Sequence, residues 1–185
     1  MATPLPEAHA DRLARLLNND QLVLFVGAGI SHQAIPHSGA GDRLPLWREL
    51  ATEVALTCGE KAQNYQHNIL DLFDAISENQ SRGALEDAVR KALPEKAYDP
   101  SSVHSQISKL PWHLVYTTNY DDLLARALGE SDPIDDEAKY EWLSREVARR
   151  PRLIHLHGTL RNLMTLTGND YDRWAERNPI AYNNL

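Results

Sequence analysis

Only one cysteine, Cys58, occurs in 185 residues. That excludes an internal disulfide framework and any zinc site built from several cysteines of this chain. Long apolar runs are also missing: the longest, LVLFV at 22–26 with its neighbours, is far too short to cross a bilayer. The opening stretch MATPLPEAHADRL lacks the basic start and apolar segment of a secretory signal, so a cytoplasmic protein is expected. Nor is there a basic excess. The formal charge is −7, and the one dense basic cluster, REVARRPR at 145–152, has the spacing of a solvated helix face. A general nucleic-acid surface is therefore not expected, because phosphate binding needs clustered Lys and Arg. A nucleotide, if bound, should enter a pocket as a single molecule held mainly by backbone N–H groups. No repeat or low-complexity segment is visible.

The apolar content of 42% and charged content of 24% are those of a soluble globular protein, and the length suits one domain. Leu13, Leu16 and Leu17 share one face of an amphipathic helix over 8–18, ahead of a buried strand at 22–26. A long loop rich in Gly, Pro, Ser and His, SHQAIPHSGAGDRLPLW, comes next. Three amphipathic helices follow: LWRELATEVALTC, with Trp47, Leu50, Val54 and Cys58 in phase, then NYQHNILDLFDAISEN and RGALEDAVRKAL. A short helix ends before Pro111, and HLVYTT reads as a second buried strand feeding the helix DDLLARAL. The acidic linker GESDPIDDEAKY and another helical stretch lead to RLIHLHG, a third strand. LMTLTGNDYDRWAER reads as a short strand and one more helix. Apolar strands alternating with helices predict an α/β fold, a parallel sheet with helices on both faces. Ligands of such folds sit at the carboxyl ends of the strands. GAGIS, TTNYDD and HGT each follow one of the three strands and should converge on one crevice.

Each motif carries a chemical reading and a plainer one. Gly27 and Gly29 lack Cβ atoms, so backbone N–H groups there can cradle a phosphate; a tight turn that touches nothing needs the same residues. The dinucleotide fingerprint G-x-G-x-x-G is not met, since His32 stands at the last glycine position. Asn119 offers both donor and acceptor to a carboxamide, a ribose hydroxyl or a water, while Asn119 or Asp121 could equally cap the next helix. His155 and His157 are spaced to share one face of the third strand. His157, nearest the strand end, is a candidate general base, with a backbone-bonded strand-end histidine as the alternative. His155 reads as structural. No ligand pair with metal-site spacing exists beyond these two, so no metal is expected.

The ordered set GAGIS, TTNYD and HG resembles the sirtuin superfamily, specifically its zinc-less, sirtuin-like (silent information regulator-like) bacterial branch. AIPHSGAGDRLPLWREL is similar to the family's Gly-Pro loop and Trp-bearing helix, in expanded form, and LTGNDY to the stretch after the histidine. The likeness runs over roughly residues 20–175. It implies a Rossmann-like sheet within one NAD-binding domain over 1–185, with a helical insertion at 45–110. It also implies that the chain is a fragment, or the N-terminal domain of a longer protein, without the family's C-terminal strand. Gly27, Ala28, Gly29 and Ser31 would hold phosphates, Thr118 would join them as a binding residue, and Asp121 would lie near the nicotinamide carboxamide. Asn119 and His157 would be the catalytic pair, Asn119 beside the nicotinamide ribose and His157 as base at its hydroxyls.

The implied activity is NAD glycohydrolysis to nicotinamide and ADP-ribose, with NAD+ as substrate. The implied context is an effector in bacterial antiviral defence, working by self-assembly or with an Argonaute-like or helicase-type ATPase partner. Sirtuin deacylases carry a four-cysteine zinc module that this chain has no room for, which counts against protein deacylation. A binding module that senses NAD or ADP-ribose without hydrolysis is the main alternative, followed by an interaction domain with an empty cleft.

Overall fold

The computed structural model describes residues 6–65, 68–129, 152–179 and 182. Outside the described residues lie the acidic linker after Gly129, the helical stretch that follows it, the basic cluster except Arg152, and most of the final six positions. Three strands, β1 (Val23–Val26), β4 (Leu114–Thr117) and β5 (Arg152–His155), form a parallel sheet in the order β1-β4-β5. The register pairs Val26 with Thr117 and Thr117 with His155, so all three strands end level. Continuous apolar runs made these strands legible; their parallel alignment sets the three following turns side by side. The mixed α/β architecture is thus the Rossmann-like one expected.

One sheet face packs Val26, Val115 and Leu153 against α6 (Ser102–Ser108) and α7 (Leu123–Leu128) through Val103, Ile107, Leu124 and Ala125. On the other face Tyr116, Ile154 and Leu156 meet Trp174, whose indole N–H donates to the Leu156 carbonyl at 2.7 Å. Val23 and Phe25, on that face of β1, stay 49% and 57% exposed.

The largest core lies beyond the strand ends rather than under the sheet. Helices α3 (Trp47–Cys58), α4 (Ile69–Asn79) and α5 (Arg82–Ala92) bury Val54, Phe73, Ile76, Leu85 and Val89 almost completely. Each such side chain contributes about 1.5–3 kcal/mol of burial. Local chemistry starts these helices: Glu49 accepts from the Leu46 N–H, Asn68 from Leu70 N–H, and Ser81 from Ala84 N–H. Tyr120, Leu123, Leu163 and Leu166 belong to the same core, which fastens the segments after β4 and β5 to the helical layer. The long loop after α2 (Ala28–Ser31) contains β2 (Ile35–Pro36), paired with β3 (Tyr98–Asp99). It is further pinned by His32 Nδ1 against the Leu44 carbonyl at 2.8 Å and by the Tyr98 hydroxyl donating to the Gly41 carbonyl at 3.1 Å.

Candidate active site

The turn after β4 is held at several atoms. The Asn119 N–H donates to Thr117 Oγ1 at 3.1 Å, and the Asn119 carbonyl accepts from His155 Nδ1 at 2.8 Å. The Asn119 side chain reaches back to the turn after β1. Its amide nitrogen donates to the Gly27 carbonyl at 3.1 Å and to Ser31 Oγ at 2.7 Å. Both amide protons are therefore used, and the reverse orientation would set Oδ1 against the Gly27 carbonyl. What Asn119 has left is Oδ1, an acceptor without a partner among the described residues. A water or a sugar hydroxyl is the kind of group it can orient.

Ser31, having accepted from Asn119, donates its own proton to Asp121, whose Oδ1 also accepts from the Leu123 N–H at 3.2 Å. Asp121 is 5% exposed. Burial pushes its carboxyl up to about 6, against the pull of the Ser31 and Leu123 hydrogen bonds. Asp121 thus bonds the first turn of α7 and faces the crevice at once, so its two readings are compatible. Asn119 does no capping.

The third turn departs from expectation. His155 ends β5 and His157 lies beyond it in a turn, so the two histidines do not share a strand face. The chain bends at once because Gly158 has φ +86° and pairs with Leu163 in a small hairpin of β6 (Gly158–Thr159) and β7 (Asn162–Leu163). A Cβ at Gly158 would stand 2.1 Å from the Asn162 carbonyl oxygen, which no side chain tolerates. The His157 carbonyl accepts from the Met164 and Thr165 N–H groups, both at 3.2 Å. Its ring lies between Tyr120 and Tyr171, with centroids 6.3 and 5.0 Å away. Burial lowers the imidazole to about 4, only partly offset by a backbone contact with Thr118. At neutral pH His157 is uncharged and can accept a hydrogen bond at its unprotonated nitrogen.

Ala28, Ser31, Thr118, Asn119, Asp121 and His157 all line one cavity of about 260 Å³. Gly27 and Gly29 do not line it; both are exposed at its margin, and a Cβ on Gly29 would meet nothing within 4 Å. The opposite wall is apolar, built from Leu44, Pro45, Trp47, Leu50 and Leu93. Tyr120 and Tyr171 complete the lining and, like that wall, were missed by sequence reasoning. For Tyr171 a signal existed, because it closes the LTGNDY stretch beside the histidine motif. Among the described residues no group of three or more His, Cys, Asp or Glu side chains could hold a metal ion. No described helix is long and apolar enough to cross a membrane.

A SIR2-like domain model matches residues 113–185, which include the turns after β4 and β5. Over that stretch the chain is similar to SIR2-like domains. It is similar to the NAD(+) hydrolase ThsA of Bacillus cereus (strain MSX-D12), 25% identical over 179 residues, 93% of this chain and 35% of that protein. It is also similar to the NAD(+) hydrolase ThsA of Acinetobacter baumannii (strain 532279), 29% identical over 128 residues, 69% of this chain and 24% of that protein. The chain spans only about a third and a quarter of the length of those relatives. The matched region carries Thr118, Asn119, Asp121 and His157; the glycine turn after β1 precedes it.

Proposed function

We propose that this domain binds NAD+ in the cavity at its strand ends and hydrolyses it to nicotinamide and ADP-ribose. One observation carries the reading: Asn119, its amide protons both consumed, offers only Oδ1 to a cavity shared with a neutral His157. Similarity to two NAD(+) hydrolases supports the choice of substrate.

In the proposed reaction the bond between nicotinamide nitrogen and ribose C1′ breaks, its electron pair leaving with neutral nicotinamide. Positive charge then develops on the ribose. Asn119 Oδ1 orients a water by accepting a hydrogen bond from it, and the water oxygen bonds to C1′, keeping one proton as the new hydroxyl. The second water proton passes to solvent, while His157 accepts a hydrogen bond from a ribose hydroxyl and steadies the cationic sugar. Preplaced polar groups of this kind supply a large share of such rate enhancements. The apolar wall around Trp47 excludes bulk water and suits the nicotinamide ring. Ala28, Ser31, Thr118 and Asp121 would serve binding, with Gly27 and Gly29 admitting the phosphates at the margin.

The reading of residues 45–110 as an insertion into one domain spanning 1–185, part of a longer protein, belongs to the same proposal. So does an antiviral effector role in the cytoplasm with assembly or a partner protein as trigger, which only the family resemblance supports. The deciding experiment is nicotinamide release from NAD+ by the purified protein beside Asn119→Ala and His157→Ala. Release lost in both variants establishes hydrolysis at this site; full activity in Asn119→Ala defeats it. NAD+ binding by calorimetry with no release, in a protein carrying any longer natural chain, would select a sensor instead.

A further inference from the structure

The helix Gly168–Asp172 is fixed unusually firmly for five residues. Thr167 Oγ1 accepts from the Asp170 N–H, while Asp170 Oδ2 accepts from the Leu166 and Thr167 N–H groups. Asp170 is also paired with Arg82 of α5 and with Arg177. Burial alone would raise the Asp170 carboxyl, but these partners outweigh it and hold it down at about 2. Gly168 N–H donates to Asp74 Oδ2 of α4 at 3.0 Å, and Arg82 donates to the Leu163 carbonyl at 2.7 Å. Two helices of the helical layer thus determine where the next residue, Tyr171, stands.

Tyr171 stands against His157. Its hydroxyl is 3.4 Å from Nδ1, and its ring meets the imidazole edge-on, 5.0 Å between centroids at 74°. Burial, then the neighbouring Asp170 carboxylate, pushes the phenol up, so the hydroxyl stays un-ionised and its oxygen can accept the Nδ1–H of a neutral imidazole, leaving Nε2 as the acceptor for a ribose hydroxyl. An imidazole has two rotational settings and two tautomers, and a hydroxyl on Nδ1 favours one combination of them.

We propose that Tyr171 is a positioning residue for His157, setting its ring plane and tautomer, and that the Arg82–Asp170 pair places Tyr171 from the helical layer. This rests on the hydrolase reading for its catalytic consequence, while the contact itself does not. A group that acts through another affects turnover more than substrate affinity, since misplacement by ~1 Å can cost up to ~100-fold.

The test compares wild type with Tyr171→Phe, which keeps the ring, and Tyr171→Leu, which loses ring and hydroxyl. Nitrogen NMR of the imidazole in the substrate-free protein, with the His157 signals identified by their loss in His157→Gln, should show changed Nδ1 and Nε2 shifts in Tyr171→Phe. Unchanged shifts overturn the proposal. With NAD+, kcat should fall ~10-fold in Tyr171→Phe and further in Tyr171→Leu, with KM nearly constant. A raised KM at unchanged kcat overturns the positioning role in favour of direct substrate contact. If wild type releases no nicotinamide, the hydrolase reading fails while the nitrogen shifts still decide this inference.

Discussion

The turns after β1 and β5 both carry glycine, and they carry it for opposite reasons. At Gly158 the protein itself forbids anything larger: φ is +86° and the Asn162 carbonyl occupies the Cβ position. At Gly27 and Gly29 the protein forbids nothing, for a Cβ would lie 3.8 Å from Thr118 Oγ1 or in open space. The first glycine is explained by the fold. Whatever explains the other two lies outside the fold, and a bound phosphate is the reading proposed above.

Substitution at Gly158 should bring the largest effect. Gly158→Ala should destabilise the protein by about 3 kcal/mol or more, since left-handed strain and a backbone clash act together; denaturant melts would show it. Asn119→Ala comes next: nicotinamide release should fall ~10²-fold or more, while loss of the amide's two hydrogen bonds should cost about 1–3 kcal/mol in the same melts. The turn after β4 bridges the other two, and Asp121→Asn probes that bridge through pH. The folded carboxyl sits near 6 against an ordinary 3.8, so the folded state holds the extra proton between these values. Its stabilising share is complete below about 3.8 and is lost as pH rises through 6. An asparagine does not titrate, so the stability of Asp121→Asn relative to wild type should improve from pH 4 to pH 7.5 in thermal melts. Gly29→Ala should have the smallest effect on the free protein, a gain within about 1 kcal/mol, because alanine is the better helix former. If a phosphate passes this backbone, the same substitution should raise the Kd for NAD+ in calorimetry. Unchanged affinity would place the phosphates elsewhere.

Much of this architecture was legible. The apolar run at 22–26, together with HLVYTT and RLIHLHG, marked the sheet strands, and in-phase residues such as Trp47, Leu50 and Val54 marked the helices. The rule that ligands gather beyond parallel strand ends brought Ser31, Thr118, Asn119 and His157 to one crevice before any coordinates did. Other features left no periodic trace. β2, β3, β6 and β7 are two residues long, too short for alternation to register. His155 and His157 sit two apart, the spacing of one strand face, yet the strand stops between them because Gly158 must turn. The apolar wall could not be read from Leu44 or Leu93 individually, since only the packing of the loop on α3 and α5 turns them toward the site. The direction of the Asn119 amide depends on a carbonyl 92 positions away.

The span of the cavity along the chain has a consequence in time. Ala28 and Tyr171 are 143 positions apart, and synthesis adds roughly 5–20 residues per second from the N-terminus. The glycine turn therefore waits for several seconds or more on the ribosome before the histidine and its tyrosine exist. A nascent chain can shape β1 and the helical layer early, but it remains chemically silent until the last wall arrives. For a protein that would consume a metabolite every cell needs, the order of residues works as a delay.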